Sequence, residues 1–237
     1  MFFPLAAIGV SVLGLIVLGL SGPAYRLGVP LTTAFALLRW GAYIGVAGAV
    51  AGLAALLWAR WRAKRLGSAL GLVALVLGLV AVVIPYQWQR RARSVPPIHD
   101  ISTDLDNPPE FKAVVPLRAD APNSLARGPE LAALQRDGYP DVAPMTVSLP
   151  PGEVFTRALA VAQDKGWDIV NADQSAGRIE ATDTTRWFGF KDDVVVRLTP
   201  WGAGTRVDVR SVSRVGRSDV GTNASRIEAF LESLQDG

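Results

Sequence analysis

The chain has 237 residues, half of them hydrophobic, with 24 basic and 21 acidic side chains, one histidine and no cysteine. Disulfides, thiolate metal sites and thiol nucleophiles are therefore excluded, and the single His99 rules out any site that needs two imidazoles. The formal charge of +3 joins two unlike halves: residues 1–94 carry nine basic side chains and no acidic one, whereas residues 95–237 carry the other fifteen and all 21 carboxylates, so the high pI does not signal nucleic-acid binding by a C-terminal half that repels phosphate.

Three uncharged apolar runs, residues 2–20, 41–58 and 66–84, are each long enough to cross a hydrocarbon core of about 30 Å at about 1.5 Å per residue. None carries the polar stripe of a helix that packs in a water-soluble core. The first run competes with a cleaved signal peptide. Its start, Met1-Phe2-Phe3-Pro4, lacks a basic segment and its apolar stretch outruns an ordinary signal, so a retained helix is expected. Trp40, Tyr43, Trp58, Trp61, Tyr86 and Trp88 stand at the ends of the second and third runs, where amphipathic rings favour the headgroup zone. Residues 29–39 are moderately apolar and either lengthen the second helix or lie on the membrane surface.

Glycines four apart, Gly41/Gly45, Gly48/Gly52 and Gly67/Gly71, let helix backbones approach closely in lipid, by packing among the three helices or, alternatively, between copies of the chain. No ionisable residue lies deep in a run, which argues against a proton relay or ion pathway. Orientation is nearly balanced by charge: Arg60, Arg62, Lys64 and Arg65 lie in one tight loop, against Arg26, Arg39, Arg90, Arg91 and Arg93 on the other side. The concentration of charge in the 60–65 loop places that loop in the cytoplasm and the C-terminal domain outside it.

Residues 95–150 form a Pro-rich arm, with Pro96-Pro97, Pro108-Pro109, Pro116, Pro122, Pro129, Pro140, Pro144 and Pro150. Proline fixes φ and removes a backbone donor, so little regular structure is expected beyond a short helix over 130–137. The apolar residues Ile98, Ile101, Leu105, Phe111, Val114 and Val115 predict that the arm packs on the following domain. From residue 145 the periodicity is clear. Residues 145–149 read as a strand, and 153–165 as a helix with Val154, Phe155, Ala158, Leu159 and Ala162 on one face and Gly166 as its C-cap. Residues 167–172, 178–184, 192–199 and 206–214 read as strands, the last two joined by a turn at 200–204, and 221–234 as an amphipathic helix.

The order β-α-β-β-β-β-α predicts an α+β soluble domain over 151–237, an antiparallel meander with two helices on one face, following a three-helix transmembrane anchor over 1–94. Val194, Val196, Leu198, Val207 and Val209 are expected to face the helices. Arg197, Arg206, Asp208, Arg210, Arg178 and Glu180 are expected on the opposite, wetter face.

Three motifs in order resemble those of the bacterial and plastid family called domain of unknown function 1499. They are Pro97-Ile98-His99-Asp100-Ile101-Ser102-Thr103-Asp104 with Asn107-Pro108-Pro109, then Thr185-Arg186-Trp187-Phe188-Gly189-Phe190-Lys191-Asp192-Asp193-Val194-Val195-Val196-Arg197, then residues 206–219 from Arg206-Val207-Asp208 to Arg217-Ser218-Asp219. The resemblance spans about residues 95–235, and the three-helix anchor is similar to that of bacterial members. It implies an architecture and no biochemical activity.

Three constellations are candidates for ligand binding. His99 with Asp100, Asp104 and Asp106 offers one imidazole and carboxylates for a divalent metal or a general base; the bland alternative is a set of Asx turns in a Pro-rich arm. Trp187, Phe188 and Phe190 beside Asp192 and Asp193 offer stacking rings and paired carboxylates able to share a proton, against the alternative of a core-filling bulge. Arg197, Arg206, Arg210, Arg214 and Arg217 with Asp208 and Asp219 offer guanidinium forks for an anion, against cross-strand charge pairs, with Asp219 as the N-cap of the last helix. Ser211, Ser213 and Ser218 lack a Gly-x-Ser-x-Gly context, so no serine triad through His99 is expected.

These features predict a non-catalytic domain that binds a ligand or partner, tethered in the bacterial inner membrane and exposed outside the cytoplasm. No cofactor or metal is expected. The expected partners are the lipid bilayer and a membrane protein or a second copy, and not nucleic acid. The alternatives are a metal-assisted hydrolase that uses His99 with Asp192 or Asp193, which requires the imidazole within about 3–5 Å of a carboxylate, and an accessory subunit of a membrane complex.

Overall fold

The computed structural model describes residues 2–236 and divides into two compact units. The first comprises Met1–Arg91 together with Arg186–Gly189, and the second comprises Ala92–Thr185 with Phe190–Gly237.

The first unit is helical: α1 (Phe2–Gly19), α2 (Ser21–Arg26), α3 (Leu31–Trp61) and α4 (Arg65–Ser94). The three segments Phe2–Arg26, Leu31–Trp61 and Arg65–Ser94 are long and apolar enough to cross a membrane. Residues 31–39 lengthen the second helix, which starts directly after Pro30, a residue that cannot continue a helix backwards but suits its first turn. α4 continues past its apolar run to Ser94, because Gln87, Gln89, Arg90, Arg91 and Arg93 are good helix formers; it also tolerates Pro85 in its interior.

Burial in this unit is inverted relative to a water-soluble protein. The buried positions of α3 and α4 are small, Gly41, Gly45, Gly48, Gly52 and Ala55 on one helix and Gly67, Gly71, Ala74, Gly78 and Ala81 on the other. The large side chains Val50, Leu53, Leu57, Leu72, Val76 and Leu79 point outward. In water those side chains would drive association; in lipid they face a solvent as apolar as themselves, and close backbone approach at small residues supplies the packing. A Cβ added to Gly14 would come within 2.8 Å of Gly45 N, and one added to Gly45 within 2.6 Å of Ala81 Cβ. The glycine pairs are thus used in packing among these helices. The Ser11 hydroxyl adds a buried hydrogen bond from α1 to Ala74 O of α4 at 2.7 Å.

The second unit contains β1 (Asp100–Ser102), a 3₁₀ turn (Val115–Arg118), α5 (Pro129–Gly138), β2 (Met145–Val147), α6 (Pro151–Asp164), β3 (Asp168–Asp173), β4 (Arg178–Thr184), β5 (Lys191–Trp201), β6 (Gly204–Ser213) and α7 (Thr222–Asp236). The strands form one antiparallel sheet in the order β1-β6-β5-β4-β3, and β2 pairs with β6. β1 and β2 share one edge of β6: Asp100–Ser102 lie opposite residues 210–212, and Met145–Val147 opposite residues 205–207. β1 was not expected from sequence, because three residues with polar ends carry no periodicity and become a strand only by pairing with β6.

The α+β architecture with two helices on one sheet face is as predicted. Val154, Phe155, Ala158 and Ala162 of α6 and Ala224, Ile227, Phe230 and Leu234 of α7 cover Ile179, Ala181, Val194, Val196, Leu198, Val207 and Val209. Trp167 stacks on Phe230 with ring centroids 5.2 Å apart. α6 ends at Gly166, whose φ of +76° closes a Schellman turn with Trp167 N donating to Ala162 O at 3.1 Å.

The opposite face departs from expectation. It carries the predicted charged residues, but it is not wet: Glu180 and Asp208 are at most 1% exposed and Arg210 is 4% exposed. The arm lies over this face. Phe111 and Val114 pack on Val195 and Val212 as a second, smaller core. The physical reason is that an irregular, Pro-rich segment has unpaired backbone N–H groups and carbonyls, which buried charges can satisfy.

Candidate functional site

The arm-covered face holds four carboxylate-centred groups, built on Asp100, Glu180, Asp193 and the pair Asp208 and Asp104, each with a donor distant in sequence. Asp100 on β1 receives both arms of the Arg210 guanidinium, Nε at 3.1 Å and Nη2 at 2.7 Å, and Arg127 Nη1 at 2.8 Å. Gln135 of α5 caps the outer edge of β1: its Nε2 donates to Ser102 O at 2.7 Å, and its Oε1 accepts from Ser102 N at 3.0 Å and from Arg127 Nη2 at 2.6 Å. Burial lowers the pKa of Arg127 from its ordinary value, and the charge of Asp100 partly offsets this. Glu180 on β4 accepts from two backbone amides of the arm, Lys112 N at 2.9 and 3.0 Å and Val114 N at 3.0 Å.

Asp193 on β5 accepts from Arg214 Nε and Nη2 at 2.9 and 2.8 Å, from the Thr182 hydroxyl at 2.7 Å and from Arg118 Nη1. Burial pushes its carboxyl up, but the hydrogen bonds from Arg214, Thr182 and Arg118 outweigh burial and hold it below the ordinary aspartate range. The fourth group is a two-by-two cluster. Asp208 receives Arg197 Nη2 at 2.9 Å and Arg206 Nε at 3.1 Å, and Asp104 receives the same two guanidiniums at 3.2 and 2.8 Å. The other oxygen of Asp104 accepts from the amides of Asp106 and Asn107, the Asx-turn arrangement.

Asp192 and Asp193 do not act as a pair. The pleat sends neighbouring residues of a strand to opposite faces, so Asp193 points under the arm while Asp192 points to α7, where Arg226 Nη2 lies 2.6 Å away. Arg226 also bridges to Asp183 at 2.7 Å and donates to the Ser211 hydroxyl at 3.1 Å. Two carboxylates separated by the thickness of a sheet and each bound to arginine do not share a proton.

Asp219 lies two residues before the N-cap position of α7 and caps the helix start with its side chain, accepting from Asn223 N at 2.6 Å and Gly221 N at 3.1 Å. Burial raises its pKa above the ordinary aspartate value; the capping amides of Asn223 and Gly221 pull it down, and the charge of Asp192 adds to the rise. Arg217 is exposed and joins no ion pair among the described residues.

His99 contributes its backbone carbonyl, which accepts from Ser213 N at 2.9 Å and Asn223 Nδ2 at 3.0 Å. No ion pair within 4.0 Å involves its imidazole among the described residues, and no group of three His, Asp or Glu is placed to hold a metal among them.

Trp187 and Phe188 belong to the first unit. The carbonyls of Arg186 and Trp187 accept hydrogen bonds from Arg26, with Nε of Arg26 3.1 Å from Trp187 O. Trp187 Nε1 donates to Gly19 O at 3.3 Å, and Phe188 meets Phe35 edge to face at 5.6 Å and Tyr25 at 6.3 Å. Phe190 lies in the second unit, where its N–H donates to the Thr185 hydroxyl at 2.9 Å. The aromatic motif is thus divided between the two units. A depression of about 230 Å³ lies beside β2, lined by Met145, Thr146, Val147, Ser148, Arg157, Leu234 and Gln235; it contains no imidazole or carboxylate side chain.

Sequence reasoning missed Arg118, Arg127, Gln135, Asn223 and Arg226, which complete the networks. Their only signal was the presence of long polar side chains in an arm and a helix face where solvent would have sufficed. The family model described as "Protein of unknown function (DUF1499)" matches residues 100–234. No curated protein matches the chain.

Proposed function

The chain belongs to the DUF1499 family of proteins of unknown function, and from that premise we propose that it is a non-catalytic, membrane-tethered module that presents a rigid α+β domain to a partner at the cell envelope. One observation carries this reading. The carboxylates that would serve as general bases or metal ligands, Asp100, Glu180, Asp192, Asp193 and Asp208, are buried and bound by arginines or by amides of the arm. Such groups hold a surface in shape. The three apolar helices supply the tether. The unpaired charge of the 60–65 loop supports a cytoplasmic placement of that loop, hence an extracytoplasmic domain in a bacterial inner membrane.

Fractionation, reporter fusion and metal analysis test the reading. The full chain is expected to sediment with membranes and to be released only by detergent; recovery in the supernatant would overturn the tether. Alkaline phosphatase fused after residue 237 is expected to be active and a cytoplasm-only fluorophore dark; the reverse pattern refutes the proposed sidedness. The purified protein after dialysis is expected to hold no stoichiometric divalent metal. One equivalent that is lost in His99→Ala would favour the hydrolase instead.

A further inference from the structure

The loop between α3 and α4 carries the largest cluster of charge in the first unit, and no ion pair among the described residues neutralises it. Arg60, Arg62, Lys64 and Arg65 fall within six residues, and residues 1–94 contain no carboxylate side chain. None of the four joins an ion pair among the described residues. All four side chains are exposed.

The loop is also built to hold a fixed shape. Lys64 N donates to Ala59 O at 2.8 Å and Ala63 N to Arg60 O at 3.0 Å, the two bonds of a Schellman turn, with Ala63 in the left-handed region at φ +51°. Two indole rings position the cations. The Arg62 guanidinium carbon lies 5.4 Å from the Trp61 ring and 5.7 Å from the Trp58 ring, and Lys64 Nζ lies 5.4 Å from the Trp58 ring. Phe3 of α1 meets Trp58 edge to face at 6.4 Å. A ring face attracts a cation without cancelling its charge, so four like charges remain crowded in a short loop.

We infer that this aromatic–basic turn is a binding surface for anionic phospholipid headgroups. The inference rests on the membrane tether proposed above. Indole rings favour the headgroup depth, so a turn containing exposed Trp61 and Leu66 sets its cations at the level of lipid phosphates. Guanidinium forks match phosphate oxygens in pairs, and the ammonium of Lys64 adds a point charge. A zwitterionic headgroup brings its own ammonium and leaves the loop charge uncompensated, whereas an anionic headgroup supplies the missing counter-charge.

The test uses the full chain reconstituted in nanodiscs of one part phosphatidylglycerol to four parts phosphatidylcholine, then washed into mild detergent, with the retained lipid identified by mass spectrometry. Enrichment of phosphatidylglycerol over the bulk ratio by about tenfold or more is expected, since each basic residue near an anionic surface contributes about fivefold. R60Q/R62Q/K64Q/R65Q is expected to lose most of the enrichment, whereas R90Q/R91Q/R93Q keeps most of it. In 1 M salt, where screening acts over about 3 Å, the wild-type enrichment should also fall; this arm needs no variant to fold. Millimolar inorganic phosphate is expected to leave the retained lipid unchanged, and displacement by it would refute a lipid-headgroup site. Retention at the bulk ratio by the wild type, or equal enrichment by the quadruple variant, overturns the inference. Failure to enter nanodiscs of phosphatidylcholine alone would instead overturn the tether, so the two failures are distinguishable.

Discussion

Replacing Asp193 tests whether the arm is fastened to the sheet by buried charge. The carboxylate is fully buried, and its two guanidinium partners, Arg118 and Arg214, have side chains only 4% and 14% exposed. Removing one member of a buried ion pair costs about 3–5 kcal/mol, because the other charge stays desolvated without compensation. Some compensation remains after Asp193→Ala. Arg118 keeps the carbonyl of Asn123 at 3.0 Å, and Arg214 keeps the carbonyl of Leu117 at 2.8 Å. The expected loss therefore lies at the low end, about 3 kcal/mol. Asp193→Asn keeps an acceptor oxygen and should lose about half as much, roughly 1.5 kcal/mol.

Urea unfolding of the full chain in mild detergent, followed by hydrogen exchange of the β5 and β6 amides, reads both values. Exchange in residues 111–118 should rise first, since Arg118 ties that segment down. A loss below about 1 kcal/mol for Asp193→Ala would refute the claim that the pair is desolvated and structural.

The pH dependence follows from the same group. The folded pKa of Asp193 lies below its unfolded value, so its stabilisation is complete above the unfolded value of about 3.9 and disappears as pH falls through the folded value. Asp193→Asn should accordingly flatten the loss of stability below about pH 4; an unchanged acid limb would contradict the assignment.

Asp219 has the opposite sign. Its folded pKa is raised, so the charged form is disfavoured in the fold at neutral pH and the penalty disappears as pH falls through the raised folded value. Asp219→Asn keeps a capping oxygen and should be at least as stable as wild type at pH 7, with the gain shrinking on acidification; a loss above about 1 kcal/mol at neutral pH in urea titrations would sink this account. In the helical unit, Gly45→Leu drives a side chain into Ala81 Cβ, 2.6 Å from the new Cβ, whereas a Cβ added at Gly9 meets no atom within 4 Å. Protease resistance of the helices in detergent should fall for Gly45→Leu, by a destabilisation of about 1–3 kcal/mol or more, and stay unchanged for Gly9→Leu; equal effects would mean that the small residues do not form the packing seam.

Much of the fold was legible because it depends on local pattern. The apolar runs, the helical spacing of Val154, Phe155, Ala158 and Ala162, and the alternation of Val194, Val196 and Leu198 each record which solvent a face meets, and that contrast is written in neighbouring residues. The candidate site was legible only as a set of charged residue types. Asp100 and Arg210 are 110 positions apart, and Arg118 and Asp193 are 75 apart, so no spacing rule connects them.

By itself, then, the sequence determined three segments suited to lipid, an α+β domain after them and the apolar face of the central strands. Tertiary structure decided that the arm closes the charged face, that Asp192 and Asp193 serve different partners, and that the aromatic motif divides between the two units. The physical reason is the range over which each choice is made. Solvent preference acts on each residue where it stands, whereas the pairing of a buried charge exists only once the chain has returned to bring its partner within hydrogen-bond reach.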